Sequence, residues 1–433
     1  MKLASQILTI FAASLILCSM SGNAQNKSGG INLSLWKEIS TQPCDSSQTS
    51  YFNLGFVSKI NQLKGVGLNL FYCNPANSVY GIQVSGLSNI VKDSTKGLQL
   101  GGLTNITGND ATGIIGSGIA NVTGNNLRGI GISGLMNITG NETKALLLSG
   151  FMNITGSTSS GVNIAGLFNL ESGGTSKGIK IGGIGNIIGS GLSGIAVGGL
   201  MNIAGNEMKG IQIASLINIT GGKTDGLQFS GLSNVGINVN GIQIAGLGNV
   251  AKNLNGGQIS LVNMAKYATN GVQVGLVNYS KSAAKAKLGL VNLNPDTRYQ
   301  LMIFGGNTTK GNIAMRFRNN LFYTILGLGS HYLDFGKSFS AAAFYRTGLG
   351  FELSRNLFLS GDIGYQHIET FDNKGVNDIP ARMYSLQARA NIEFQLTKKF
   401  GVFASGGYGV TNYYTKSKNY EKKPIAELGI VLF

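Results

Sequence analysis

The chain has 433 residues, of which 66 are glycine and only 5 are proline. Glycine at about twice its usual share, with few prolines and 42% hydrophobic residues, excludes collagen, proline-rich linkers and a disordered chain. Lys and Arg number 34 against 18 Asp and Glu, a net charge of +16 that makes acidic polymers or anionic lipids plausible neighbours. With two histidines, His331 and His367, the chain has little material for His-rich metal sites or histidine-based triads.

Lys2, the apolar stretch Ile7 to Leu17, and the small residues Gly22 and Ala24 predict a secretory signal over residues 1–24, cleaved before Gln25. The apolar stretch is shorter than the ~20 residues of a spanning helix. Cys18 follows Leu17, where lipid attachment favours a small residue. The exported remainder keeps Cys44 and Cys73, and an oxidising compartment permits a disulfide between them. Sequence alone does not bring their Cα atoms within bonding range. Residues 25–64 read as an N-terminal cap.

From 65 to 296 a repeat of about sixteen residues dominates. Its marker is an asparagine: Asn89, Asn105, Asn121, Asn137, Asn153, Asn169, Asn186, Asn202, Asn218, Asn234, Asn249, Asn263, Asn278 and Asn292. Thirteen steps cover 203 residues, about 15.6 each. Leu, Ile or Phe stands two before each marker, and glycine stands three before it except at Ser215 and Ser260. Asn74, fifteen residues before Asn89, reads as a degenerate first copy.

The copy from Gly81 to Ile90 alternates Ile82 and Val84 with polar residues, then bends at Ser85-Gly86. Short strand, glycine corner, short strand and polar return make one coil of a β-solenoid. Coils stacked about 4.8 Å apart would place the asparagines in an amide ladder, in a rod roughly 70 Å long. The same reading sends Ile82, Val84 and their equivalents into a dry aliphatic core. The alternative is one large barrel, a channel or transport component, with each copy a membrane strand. Connections of uniform length and character favour stacked coils over turns alternating between membrane faces.

Between Gly81 and Asn292 there are six acidic residues and five aromatics, too few for a carboxylate-lined sugar cleft or a base-stacking groove. Lys96, Lys144, Lys177 and Lys209 in the returns read as solvated, edge-protecting charge. Sequon-like Asn105-Ile-Thr107 follows from the repeat itself.

After Pro295 aromatics become frequent and the repeat stops. Residues 297–433 predict eight strands, the clearest from Tyr384 to Thr397. There Tyr384, Leu386, Ala388, Ala390, Ile392, Phe394 and Leu396 share one face, and Ser385, Gln387, Arg389, Asn391, Glu393 and Gln395 the other. Such alternation suits lipid on one side and a polar interior on the other. The other segments are Tyr299–Gly306, Gly311–Arg318, Phe322–Leu333, Ser340–Leu353, Leu357–Glu369, Gly401–Tyr413 and Ile425–Phe433. Eight strands close a barrel filled by its own side chains. Parity turns Arg346, Glu352, Asp362, Arg389, Glu393 and Glu427 inward as a structural charge network.

The final strand Ile425–Phe433, with its terminal aromatic, resembles those of outer-membrane barrel proteins. By strand count and alternation the domain resembles the small OmpA-type barrels, although Glu427 and Gly429 depart from the usual apolar positions. Gly271-Val-Gln-Val-Gly-Leu-Val-Asn278 resembles the tandem Gly-x-Gln-x-Gly-Leu-x-Asn of Bacteroidetes and leptospiral surface-repeat proteins; Gly241–Asn249 matches with one inserted residue. That resemblance covers about half the chain and implies an exported, envelope-associated protein without a transferable catalytic motif.

Gly129-Ile-Gly131-Ile-Ser-Gly134 spells a dinucleotide fingerprint but lies inside the repeat, with no strand-to-helix context. Gly336-Lys337-Ser338 lacks the leading glycine of a phosphate loop, where His331 stands. Ser330-His331 and the pair His367 and Glu369 assemble no triad from sequence. The expectation is therefore an all-β, non-enzymatic outer-membrane or cell-surface protein: a solenoid serving as structural or adhesive surface, anchored by a barrel. Expected partners are outer-membrane lipid and an envelope or host-surface polymer or protein. Neither nucleic acid nor any cofactor or metal is expected.

Overall fold

The computed structural model describes residues 30–433 except 38, 43–47, 76, 269, 283, 285, 333–338, 372–379 and 416–418. The signal segment 1–24 and Cys44 lie outside the described residues. Among those described there is no helix: a parallel β-solenoid of about 16 turns precedes a closed eight-stranded antiparallel barrel. By contact density the chain divides into two units, Met1–Ile237 and Asn238–Phe433.

In the first unit each regular coil supplies a longer and a shorter strand, such as Thr95–Gly101 with Thr104–Thr107, then Ala111–Ser117 with Ala120–Thr123. Like pairs with like, in parallel and one coil on: Gln83 with Gln99, Asn89 with Asn105. Parallel pairing on both strand columns overturns the single-large-barrel alternative, since neighbouring strands of such a barrel are antiparallel. The corners need glycine. A Cβ on Gly134 would stand 2.0 Å from the carbonyl oxygen of Gly118 in the coil beneath. Gly97 adds a φ of 131°, which kinks the longer strand.

Parallel stacking reaches into the stretch read as a cap. Gly30–Trp36 pairs with Thr49–Ile60, which pairs with Gln62–Pro75. These coils escape a search for the marker because other residues fill its slot. Ser58 pairs with Cys73 and Cys73 with Asn89, so Cys73, not Asn74, precedes the ladder.

The strand parity is the main correction. Gln83 and Gln99 are fully enclosed, whereas Ile82 and Leu100 face outward. Thr95, Gln99, Gly101, Asn105 and Thr107 point inward in one coil, while Lys96, Leu100 and Leu103 lie on its surface. The interior is thus largely amide, hydroxyl and glycine, with aliphatic inserts such as Ile115, Leu127 and Leu147. A continuous dry aliphatic core is absent from the described coils. Alternation defines two faces of a strand but is unchanged when they are exchanged. The marker asparagines satisfy one another coil by coil, so amides can occupy the enclosed face, although a few inward glutamine and hydroxyl atoms such as Gln83 Nε2 and Ser133 Oγ find no partner among the described residues.

In the second unit the coils shorten to strands such as Gly257–Ile259 and Val262–Tyr267, still parallel and in register. The barrel strands are Arg298–Gly306, Thr309–Asn319, Phe322–Tyr332, Ser340–Ser354, Leu357–Thr370, Arg382–Thr397, Phe400–Tyr413 and Asn419–Leu432. Each predicted segment falls on one of them. The first strand pairs with the last, Leu301 opposite Leu432, which closes the barrel. Phe433 packs against the inner cluster of Met302, Phe304, Phe344 and Phe403. Most of the long connection predicted from Phe371 to Pro380 lies outside the described residues.

Candidate functional site: a polar ladder and a charge-filled barrel

The marker asparagines form an axial chain. From Asn89 to Asn234, each Nδ2 donates to the Oδ1 of the next at 2.8–3.0 Å. In the second unit the chain runs Asn249, Asn263, Asn278, Asn292 at the same distances. The other amide proton reaches a strand carbonyl of the next coil, as from Asn105 to Gly116 at 2.7 Å. These side chains are buried, neutral and saturated, which suits them to holding a corner and leaves them nothing for chemistry. A second amide column runs beside them: Gln273 donates to Gln258 at 2.9 Å, and Gln258 to Gln243 at 2.8 Å. The upstream coils have their own amide row, Asn32 to Asn53 at 2.7 Å and Asn53 to Asn69 at 3.0 Å.

In the first unit, Lys180 and Glu171 break the neutral pattern. Lys180 fills the glutamine slot and Glu171 the threonine slot, because both follow the inward parity of the repeat. Their Nζ and Oε1 are 3.2 Å apart, and both side chains are sealed from solvent. Lys180 also donates to Ser159 Oγ at 2.6 Å. With its amide oxygen toward the ammonium, Asn163 accepts from Lys180 at 3.1 Å. Burial lowers the lysine's pKa despite the opposing carboxylate. Sequence reasoning missed the pair, although each residue's offset from Asn169 and Asn186 gives its slot.

Cys73 is fully enclosed among Ile60, Leu63, Val79 and Val91. Burial pushes its thiol up to about 12, so it is unreactive.

The barrel interior holds most of the predicted charges. Arg346 grips Glu427 with two bonds, 2.7 and 2.8 Å, and Arg389 lies 3.4 Å from both Glu427 and Asp362. Glu393 pairs with Arg316 at 2.7 Å. Arg316 and Glu393 sit on the second and sixth strands, and Arg346 and Glu427 on the fourth and eighth. In an eight-stranded ring each pair spans a diameter, so together they cross the lumen twice. Asp362 further accepts from Tyr323 at 3.1 Å and Asn391 at 2.7 Å. Glu352 departs from the expectation: its side chain is 56% exposed at the barrel end, bonded to Arg318 at 2.6 Å. The strand end stops before parity can enclose it. Arg316 and Arg318 were missed, though Asn312, Ala314, Arg316 and Arg318 alternate with apolar Ile313, Met315 and Phe317.

The barrel's outside is apolar, with Ile303, Ile313, Leu328, Ile363, Leu386, Ile392 and Leu428 exposed. Aromatics flank this band. Tyr299, Phe351 and Phe394 stand near the short-turn end; Tyr365, Tyr408 and Tyr414 stand toward the other. His367 belongs to this second group, with Nδ1 2.8 Å from the Tyr414 hydroxyl and Nε2 3.6 Å from Glu369. His331 stacks edge-on against Phe339.

The chain matches no protein-family profile and no curated protein. Among solved structures it is similar to the N-terminal β-barrel domain of Pseudomonas aeruginosa OprF. Identity is 13%, covering 31% of this chain and 95% of that chain, with a TM-score of 0.24.

Proposed function

We propose that this chain is a non-enzymatic outer-membrane protein in which the barrel is a closed anchor and the solenoid a structural scaffold and binding surface. One observation carries the reading: the barrel is inverted, with paired charges inside and an apolar, aromatic-edged band outside. In water that band would be an aggregation surface; in a bilayer it is the solvated face. The two diametral ion pairs favour an anchor over a conducting channel. The repeat's resemblance to envelope surface-repeat proteins fits the same reading.

The strand ends support an orientation. Asn319 to Phe322, Ser354 to Leu357 and Thr397 to Phe400 are tight turns, and the long connections lie at the opposite end. Barrels of this kind turn their short connections to the periplasm. Arg298 begins at that end, so the solenoid joins from the periplasmic side, and scaffolding within the envelope is favoured over adhesion to a host. Protease shaving of intact cells, with an epitope in the return near Lys209, tests this. Survival until the outer membrane is permeabilised is expected; loss from intact cells would establish display outside. A barrel anchor also predicts an outer-membrane fraction whose electrophoretic mobility changes on heating, and no steady conductance in planar bilayers.

A further inference from the structure

The last coil of the solenoid, Ala286–Leu288 with Val291–Leu293, packs on the short-turn end of the barrel at Asn319 to Phe322. Asn319 donates from Nδ2 to the Asn292 carbonyl at 2.6 Å, and its Oδ1 accepts from the Thr297 hydroxyl at 2.5 Å. The Tyr345 hydroxyl adds a bond to the Gly289 carbonyl at 2.8 Å. These contacts fix coil and turn to each other and leave a cavity of about 390 Å³ between them. That volume lies within the ~300–1,000 Å³ of small-molecule sites.

The cavity is supplied with donors. Lys287, Asn294, Asn319 and Asn320 form its polar wall, Leu321 and Phe322 part of its apolar one, and no carboxylate lines it among the described residues. Lys287 reaches it because the inward glutamine column, from Gln273 of the preceding coil, ends there. Lys287 is only 6% exposed. Its Nζ donates to the Leu293 carbonyl at 2.5 Å and has no other partner among the described residues. Two of its three N–H groups are therefore unused. Lys180, by contrast, has Glu171 at 3.2 Å. The Asn294 Oδ1 lies 3.1 Å from the Thr297 hydroxyl, and its amide nitrogen has no acceptor among the described residues. The Asn320 amide has no partner among them either. A buried ammonium without a counter-charge is costly. Burial lowers the Lys287 pKa to about 8, so the group still carries its charge at pH 7.

A ligand that only accepts hydrogen bonds would use all these donors, and a lysine point charge suits a phosphate. An adjoining cleft of about 660 Å³ shares Asn294, Asn320 and Leu321 and carries Arg298 and Arg318 with Asp296 and Glu352. The two clefts together hold three cations and two carboxylates, a net positive charge.

We propose that the junction of last coil and barrel is a phosphate-binding site, in which the Lys287 ammonium and the Asn294 and Asn320 amides hold a phosphate group, free or at the end of a larger molecule. The site does not depend on the anchor reading, and its first test uses no bilayer. Full-length protein in nonionic detergent at pH 7 is titrated with inorganic phosphate at constant ionic strength, and hydrogen exchange is followed at residues 286–293. Exchange is expected to slow along a saturating curve, about tenfold at ten times the half-saturating concentration. Lys287→Gln should abolish the response, and Lys209→Gln, in a distant return, should keep it. Asn320→Gly, which tolerates the φ of 55° at that turn, should raise the half-saturating concentration severalfold with exchange unchanged when phosphate is absent. A second arm adds phosphatidic acid, a phosphate monoester, to the micelles. Protection by phosphatidic acid alone would support the site with a lipid headgroup as the source, and protection by inorganic phosphate would support it with a soluble one. Protection by neither, or protection that survives in Lys287→Gln, overturns the proposal.

Discussion

Replacing Lys180 alone, by Lys180→Gln, leaves the Glu171 carboxylate inside the coil without its ammonium. Its Oε2 already has no hydrogen-bond donor among the described residues. Breaking a buried pair by removing one partner costs about 3–5 kcal/mol. Glu171→Thr alone leaves the ammonium with Ser159 and Asn163, and a similar loss is expected. The double variant restores what other coils contain. Thr107 donates to Gln99 at 3.4 Å and Thr220 to Gln212 at 3.2 Å, in the same two slots. Because burial outweighs the carboxylate's attraction in setting the Lys180 pKa, the pair itself is a weak source of stability. The double variant should therefore fall within about 1 kcal/mol of the parent or exceed it, a coupling of roughly 5 kcal/mol or more. Hydrogen exchange of residues 159–204 in the full-length protein reads the local opening free energy. A harmless single Lys180→Gln, or a double variant as damaged as the two singles combined, would falsify the slot reasoning.

Lys287 ends the second glutamine column, and Gln273 Oε1 beside it has no donor among the described residues. Lys287→Gln should extend the ladder and stabilise the last coil by about 1–3 kcal/mol in hydrogen exchange. Burial lowers the Lys287 pKa from 10.5 to about 8, so the folded state binds fewer protons between those values. Stability should rise by about 3 kcal/mol as pH goes from 8 to 10.5 and be lost as it falls through 8; the Gln variant should lack this slope. Arg316→Leu strands Glu393 inside the barrel and should lower the midpoint of the heat-induced mobility shift, as a cost of about 3–5 kcal/mol implies; an unchanged midpoint would mean the diametral pair is dispensable. Gly134→Ala forces a corner backbone to move and should destabilise its coils by several kcal/mol. Gly406→Ala, whose Cβ meets nothing within 4 Å, should be neutral by the same exchange measurement.

Much of the architecture is legible in the letters. Fourteen asparagines at near-constant spacing favour stacked equivalents over a large barrel, and the alternation in Arg382–Thr397 requires a sheet with two unlike sides. Eight strands can be delimited because turn residues interrupt each alternating run. The candidate sites are less legible. Lys180 and Glu171 look like surface charges until their slots are known, and Arg316 finds Glu393 only because the second and sixth strands face each other across a ring. Cys73 occupies the ladder without resembling its marker.

The sequence by itself determined the period, the boundary between the repeat and the aromatic-rich last part, and which residues share a face. Only the tertiary structure decided that the repeat stacks as parallel coils and which face is enclosed. Alternation is symmetric under exchange of inside and outside, so a strand of Ile-Gln-Val can bury its aliphatics or its amides. Stacking resolves the choice, because asparagines one coil apart complete each other's hydrogen bonds and so recover most of what they lose by leaving water. That releases the aliphatic face outward in solenoid and barrel alike, and their shared inversion is invisible until the strands are closed.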